Sequence, residues 1–490
     1  MAETSRFRAL AYAVRGRVMA RYLGQLCLIQ AVLMLPPVFV GAVTGSYAFV
    51  LRSVLTVVVL TMAGWLLMRI PAPRELQRNE AITLSALAFL LSPLVMTWPM
   101  TAFGLAPVDA LFETVSGVTT TGLTTLAVVA DRPAAFYFLR AWMQWYGGLG
   151  IVVLSLAILT RHQVTMRRLA AGEIRDEDII GGIRAHARGV LLIYLALTAA
   201  GMALILLSGT GTWTALLHTF TAVSTGGFSS LQMSLCGLNT WLQRMVVIGV
   251  SFSGAICLTL YYYLAHGRWR KWLGDHESHM LLVLSVVSSA ALVAALLASG
   301  GHRWQEAVGH GVLTGFSAQT TTGFSSLPMV SLPSVAKLVV IVSMFIGASL
   351  GSTGGGVKIL RAVILFRLLQ SLLRRTLTPR HAVIHTRVQG SRLESRTAVD
   401  AMLVIALFVV CNAVGWGAML AYGQPPLDSL FDVVSATGTV GLSTGVVSPD
   451  LPAVLKVMLC VNMLAGRLEV LALLVLVYPR TWVGRRREMQ

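Results

Sequence analysis

Four times along the chain, a short stretch of Ser, Thr and Gly interrupts apolar runs of membrane-crossing length: 116–125, 221–230, 317–326 and 435–444. Aligned on Gly122, Gly227, Gly323 and Gly441, each copy has a hydroxyl residue six positions before the glycine and another two positions after it. Leu or Phe follows each glycine directly. A segment in lipid must satisfy its own backbone hydrogen bonds, so non-helical backbone at that depth is tolerated only against protein or a water-filled path. Four polar loops in one orientation predict a single pore that all four line.

Composition supports that frame. Of the 490 residues, 56% are hydrophobic and 12% charged, against about 25% charged in soluble domains. The long apolar runs predict an all-α membrane protein, and the alternating strands of a membrane barrel are absent. The net charge of +18 does not point to nucleic acid, because the basic residues crowd into alternate loops, as cytoplasmic loops require. Cys27, Cys236, Cys257, Cys411 and Cys460 show no metal-ligand spacing and are read as structural thiols.

In chain order, a basic start (Arg6, Arg8, Arg15, Arg17) precedes apolar runs over 22–43 and 49–68, which form a two-helix extension within residues 1–80. Four units follow, at 81–170, 171–275, 276–397 and 398–490, each expected to run helix, re-entrant pore helix, polar loop, helix (M1–P–M2). Flanking helices are expected at 82–100 and 136–160, 189–208 and 241–265, 279–299 and 334–372, and 399–422 and 453–478, which makes ten spans in all. The basic connectors 161–188, 266–278 and 373–398 share a side with both termini, so that side is cytoplasmic and the loops open outward. The segments 108–115, 213–221, 304–316 and 427–434 are too short to span. A half-helix that stops in the membrane points its C-terminal partial negative charge at the centre, which favours a cation.

A dehydrated cation needs oxygen ligands, and backbone carbonyls provide them where the chain is extended and glycine permits close approach. The candidate ion-binding residues are Thr120, Thr121 and Gly122; Thr225, Gly226 and Gly227; Thr321, Thr322 and Gly323; and Thr439, Val440 and Gly441. The second loop departs from its siblings at Gly226, where the others carry Thr or Val. No acid lies at the loop centres, which fits a weakly hydrated monovalent ion better than a divalent one.

Glycine crowds 347–356 inside what should be a helix, at Gly347, Gly351, Gly354, Gly355 and Gly356, together with Ser352 and Thr353. Each such glycine costs about 1 kcal/mol relative to Ala. A phosphate loop ending at Lys358 is a poor match, because no Gly-Lys-Ser/Thr follows and no strand precedes. The alternatives are a close-packing device or an unwound loop beneath the four polar loops. Arg467 and Glu469 interrupt the last apolar run and are expected to face the pore or to be paired. Arg140 and Gln144 share a helix face and are read as helix packing. Asp109, Glu113, Asp428 and Asp432 either attract cations at the mouth or stabilise pore-helix N-termini. His218 and His310 are assigned to structure.

Four motifs carry a resemblance: 109–122, 144–151 (Gln-Trp-Tyr-Gly-Gly-Leu-Gly-Ile), 351–358 (Gly-Ser-Thr-Gly-Gly-Gly-Val-Lys) and 466–469 (Gly-Arg-Leu-Glu). With them the whole chain resembles the Trk/Ktr/HKT superfamily of potassium transporters, and most closely the bacterial Trk type with its two extra N-terminal helices. The resemblance implies one potassium pathway, potassium as substrate at the carbonyls of the loop residues, and no organic cofactor. It implies Gly347–Gly356 and Lys358 as a gating loop and Arg467 as a positive barrier inside the filter. Gly122, where the family can carry Ser, favours potassium over sodium. A homodimer in the bacterial inner membrane and a cytoplasmic nucleotide-binding regulatory subunit are implied as well. Other functions open to such a chain are the pore subunit of a potassium-pumping ATPase, a membrane-embedded transferase, and a secondary transporter with inverted repeats, whose repeats would alternate in topology where these four share one orientation. No carboxylate or His–Asp cluster at a membrane face supports the transferase.

Overall fold

The computed structural model describes residues 13–73, 76–159, 179–301, 303–377, 386–388 and 391–483. Arg6, Arg8, most of the first basic connector and part of the third lie outside the described residues. The regular elements of the described chain are helices, apart from a hairpin of two antiparallel two-residue strands, β1 (Arg387–Val388) and β2 (Ser391–Arg392).

The N-terminal extension comprises α1 (Gly16–Leu33), α2 (Leu35–Val43) and α3 (Tyr47–Met68). The run expected to be one helix over 22–43 breaks at Met34, just before Pro36 and Pro37, which have no N–H to continue the ladder. Gly24 and Gly64 let α1 and α3 meet backbone to backbone: a Cβ at either would come within 2.9 Å of the other's carbonyl oxygen.

Four helix–short helix–loop–helix passages follow. The first comprises α4 (Arg78–Met100), α5 (Pro107–Val118) and α6 (Ala134–Leu159). The second comprises α7 (Ile179–Leu207), α8 (Thr212–Val223), α9 (Trp241–Ala255) and α10 (Leu258–Ala265), with α11 (Trp269–Leu273) in the connector. The third comprises α12 (His276–Ala298), α13 (Trp304–Gln319), α14 (Ser334–Ile346) and α15 (Ile359–Leu377). The fourth comprises α16 (Ser395–Ala421), α17 (Pro426–Thr437), α18 (Ala453–Arg467) and α19 (Leu471–Val477), before a final turn, α20 (Pro479–Trp482).

The helix after each loop packs on the next passage's short helix: α6 on α8, α9 on α13, α14 on α17, and α18 back on α5. The passages therefore close into a ring with the four short helices inside. Phe112 and Phe431 on those helices, and Leu123 and Phe324 just past the loop glycines, are fully buried. Val58, Val59, Val286, Val287, Val410 and Val414 on the outer helices are exposed, as lipid-facing positions should be. Ion pairs close two of the unit boundaries: Lys337 with Asp428 at 2.6 Å and Lys456 with Asp109 at 2.7 Å.

By length and composition, six described helices are long and apolar enough to cross a membrane, or eight if each of two bent pairs is one span. The remaining two of the expected ten correspond to α6 and to α14 with α15. Two runs expected to be continuous are bent, by 93° between α9 and α10 and by 113° between α18 and α19. The first bend frees the Gly254 and Ala255 carbonyls, which accept from the backbone N–H groups of Thr353 at 3.2 Å and Ser349 at 3.3 Å. The second turns through Glu469 and Val470, both at positive φ (58° and 57°). Neither bend has a proline; a glycine stands at or just before each, Gly254 and Gly466, and tertiary partners hold both.

Candidate functional site

The four short helices end in one and the same cap. The N–H groups of Thr120 and Thr121 donate to the carbonyls of Gly117 (3.0 Å) and Ser116 (2.9 Å). Thr225 and Gly226 repeat this on Ala222 (2.9 Å) and Thr221 (2.7 Å), Thr321 and Thr322 on Ala318 (3.2 Å) and Ser317 (2.9 Å), and Thr439 and Val440 on Ala436 (3.1 Å) and Ser435 (2.8 Å). This pairing usually places glycine in the left-handed position. Here that position is threonine every time, at φ 53°, 51°, 55° and 50° for Thr120, Thr225, Thr321 and Thr439. A β-branched residue there is an outlier that persists only where its surroundings over-determine it.

Two residues on, Gly122, Gly227, Gly323 and Gly441 have φ of 89°, 76°, 82° and 96°, while the residues between are not at positive φ. Alternating φ sign turns successive carbonyls toward one side, the arrangement a carbonyl-lined ion path needs. The four strands also abut in cyclic order. A Cβ built on Gly122 would overlap the carbonyl oxygen of Gly226, one on Gly227 that of Thr322, one on Gly323 that of Val440, and one on Gly441 that of Thr121.

Behind the ring, the hydroxyl two residues past each glycine is tied back in three of the loops. Thr124 donates to Glu113, Ser443 to Asp432 (2.7 Å), and Ser229 pairs with His218 Nε2 (3.2 Å). In the third loop His310 Nδ1 meets Ser326 instead, at 2.8 Å. Glu113 and Asp432 are fully buried mid-helix, so they do not face the mouth; Asp109 and Asp428 lie in first turns and are lysine-paired. Glu113 also accepts from Arg140 Nε at 2.9 Å, and the guanidinium covers Phe228 at 3.7 Å. Removing one partner of such a pair strands a buried charge. Arg140→Met is therefore expected to destabilise the protein by about 3–5 kcal/mol, read as a lower detergent melting temperature, and Arg140→Met/Glu113→Gln should recover most of the loss.

Glycines let the flanking helices reach the ring's base. A Cβ at Gly147, Gly254 or Gly466 would overlap the carbonyl of Val118, Val223 or Thr437, each four residues before its loop glycine. In the third passage Gln319 holds that place and donates to the Gly347 carbonyl at 2.7 Å.

Residues 347–358, between α14 and α15, lie against the inner face of the ring. Gly355 N–H donates to Thr321 Oγ1 at 2.6 Å and Gly356 N–H to the Gly438 carbonyl at 3.1 Å. Thr353 Oγ1 is 3.2 Å from Thr225 Oγ1 and donates to the carbonyls of Gly254 (2.9 Å) and Val223 (3.1 Å). Lys358, itself at φ 82°, folds back to donate to the Gly354 carbonyl. On the far side a cavity is lined by Gly351, Ser352, Gly354, Gly355, Lys358, Arg467 and Glu469, among others. Arg467 donates to the carbonyls of Thr353 (2.7 Å) and Gly147 (3.3 Å), while Glu469 pairs with Arg361 at 2.5 Å. The two charges that interrupt the last apolar run thus find separate partners.

All the candidate loop residues and the glycine-rich segment meet in one place. Three contributors were not singled out for the roles they have. The threonine two places before each glycine was visible as an aligned column. Gln144, read as helix packing, instead donates to the Gly226 carbonyl (2.5 Å) and accepts from Phe228 N–H (3.1 Å). Glu277 accepts from Leu350 N–H at 2.9 Å; nothing in the sequence links those two positions.

The family model described as TrkH, cation transport protein, matches residues 45–480. An uncharacterised cation transporter of Methanocaldococcus jannaschii is 31% identical over 416 residues, covering 84% of this chain and 85% of that one. The Trk system potassium uptake protein TrkH of Escherichia coli K12 is 30% identical over 391 residues, 76% of this chain and 79% of its own. The crystal structure of the potassium transporter TrkH from Vibrio parahaemolyticus superposes with a TM-score of 0.86 at 26% identity, covering 96% of this chain and all of that one. With a family match over most of its length and a ring of four loops at its centre, this chain belongs to the TrkH family of cation transport proteins.

Proposed function

We propose that the protein carries potassium into the cell through the ring of four loops. The cyclic contact of each loop glycine with the next loop's carbonyl is the observation that supports this most directly. In this reading the carbonyls of 120–122, 225–227, 321–323 and 439–441 replace the hydration shell of potassium, the transported substrate. Residues 347–358, which bond to loops two, three and four from inside, are the gate. Arg467 anchors that gate through the Thr353 carbonyl and places a positive charge on the exit path. Uptake runs down the electrochemical gradient, to which an inside-negative potential contributes ~2.3 kcal/mol per charge per 100 mV.

The basic connectors and both termini face the cytoplasm of a bacterial inner membrane in this scheme, and the protein works as a homodimer with a soluble nucleotide-binding regulator. Two of its relatives are named as Trk system potassium uptake proteins, from Escherichia coli and Halomonas elongata, which favours this over a pump subunit. Rubidium uptake into proteoliposomes tests the reading. It should be saturable and competed by potassium well below the sodium concentration needed for the same effect. Equal competition by the two ions, or no uptake above empty vesicles, would overturn it.

A further inference from the structure

The four loops differ in one respect that their alignment leaves unexplained: Gly226 stands where the others carry Thr121, Thr322 and Val440. Backbone conformation does not require it, since Gly226 is not at positive φ. Space does. A Cβ there would overlap the Gln144 side chain from α6, coming within 2.9 Å of its Cβ and closer still to its amide. That amide straddles the loop, with Nε2 donating to the Gly226 carbonyl at 2.5 Å and Oε1 accepting from Phe228 N–H at 3.1 Å. The partners dictate the amide's orientation, because a carbonyl needs a donor and an N–H an acceptor. Gln144 is fully buried, and it is brought there by Gly147 and Gly148, whose missing Cβ atoms let α6 lie against Val118 and Ser224. The carbonyls of Thr121, Thr322 and Val440 accept no hydrogen bond from any described residue.

We propose that Gln144 is a positioning residue for the second quarter of the filter, and that its amide sets the preference for potassium over sodium by holding the Gly226 carbonyl at potassium's distance. This rests on the four-loop filter reading. Two consecutive glycines make the second loop the loosest of the four. Unrestrained, its carbonyls would close around the smaller sodium ion as readily as around potassium. The amide bridges the residues on either side of Gly227 and so fixes the strand without a side chain of its own. Gly226 and Gln144 are in this view one device, in which a neighbouring helix supplies the bulk that Thr or Val supplies elsewhere.

Gln144→Leu keeps a branched side chain, one atom shorter, and removes both hydrogen bonds. Its potassium-over-sodium ratio in competed rubidium uptake should fall roughly tenfold, with the saturating rubidium rate changed far less. Gln144→Ala/Gly226→Thr moves the bulk onto the loop itself, as in its siblings, and should regain most of the ratio that Gln144→Ala loses. An unchanged ratio in folded Gln144→Leu, or a double variant no better than Gln144→Ala, would overturn the proposal. Should Gln144→Leu not fold, the double variant decides alone. Gly323→Ser, assayed alongside, separates the two readings: if it loses selectivity while the Gln144 variants do not, the filter stands and the wedge falls; if none loses it, the filter reading fails.

Discussion

Gly323→Ser is expected to remove most of the preference for potassium over sodium and to lower rubidium uptake, while the protein still assembles. Gly323 sits at φ 82°, where an L-residue carries strain of order 1–3 kcal/mol. Its Cβ would overlap the Val440 carbonyl of the next loop, so the side chain cannot be placed without shifting a carbonyl of the ring. In a carbonyl-lined path the discrimination lies in those positions, and a loss of selectivity of at least about tenfold is the expected result. Gly423 is the matching control: it too is at positive φ (75°), but a Cβ there meets nothing within 4 Å. Gly423→Ser should leave the ion ratio unchanged. A folded Gly323→Ser protein with unchanged relative uptake of rubidium and sodium would remove the ring from the ion path.

Shortening the segment beneath the ring should have the opposite effect on rate. Deleting Gly354–Gly356 removes the N–H groups that bond to Thr321 Oγ1 and to the Gly438 carbonyl, and the carbonyl that receives Lys358. Basal rubidium flux should rise about tenfold, the effect of shifting a closed-to-open equilibrium by ~1.4 kcal/mol. Potassium preference should survive, because the four loop glycines are untouched. Gly355→Ala is the milder form. Its backbone is not at positive φ, yet its Cβ would overlap the Gly438 carbonyl and Thr439 Oγ1, so the segment cannot dock as it does now. A deletion variant that remains folded but conducts no faster would make the segment a packing device and place the gate elsewhere.

The loops, their order and their shared orientation were legible in the sequence because a polar, glycine-centred stretch in an apolar chain has few places to go. Four such stretches, each after a segment too short to span, leave little besides a common path. The left-handed threonine was legible only as an aligned column, with no hint of its conformation, since threonine disfavours that region and the cap bonds at the end of each short helix hold it there. The bends between α9 and α10 and between α18 and α19 were not legible. Each has one glycine close by, Gly254 or Gly466, in a largely apolar run, and the carbonyls freed at the first bend are satisfied by residues nearly a hundred positions away, Ser349 and Thr353.

The same division runs through the charged residues. Local sequence showed that Arg467 and Glu469 needed partners, because an ionic group inside a membrane protein is costly alone. Which partners they take was decided by the approach of α15 and the 347–358 segment, which gives Glu469 to Arg361 and Arg467 to the Thr353 carbonyl. Gln144 shows the limit most plainly. Its place on a helix face could be read from periodicity, and Gly226 could be seen to differ from its siblings. That one explains the other is a fact of packing between two units, and short-range chemistry along the chain carries no record of it. By itself the sequence determined the class and marked the four loops that meet in the ring, through hydropathy and backbone freedom. The tertiary structure alone decided how the four quarters abut and what holds each carbonyl in place, because those contacts join residues that only ring closure brings together.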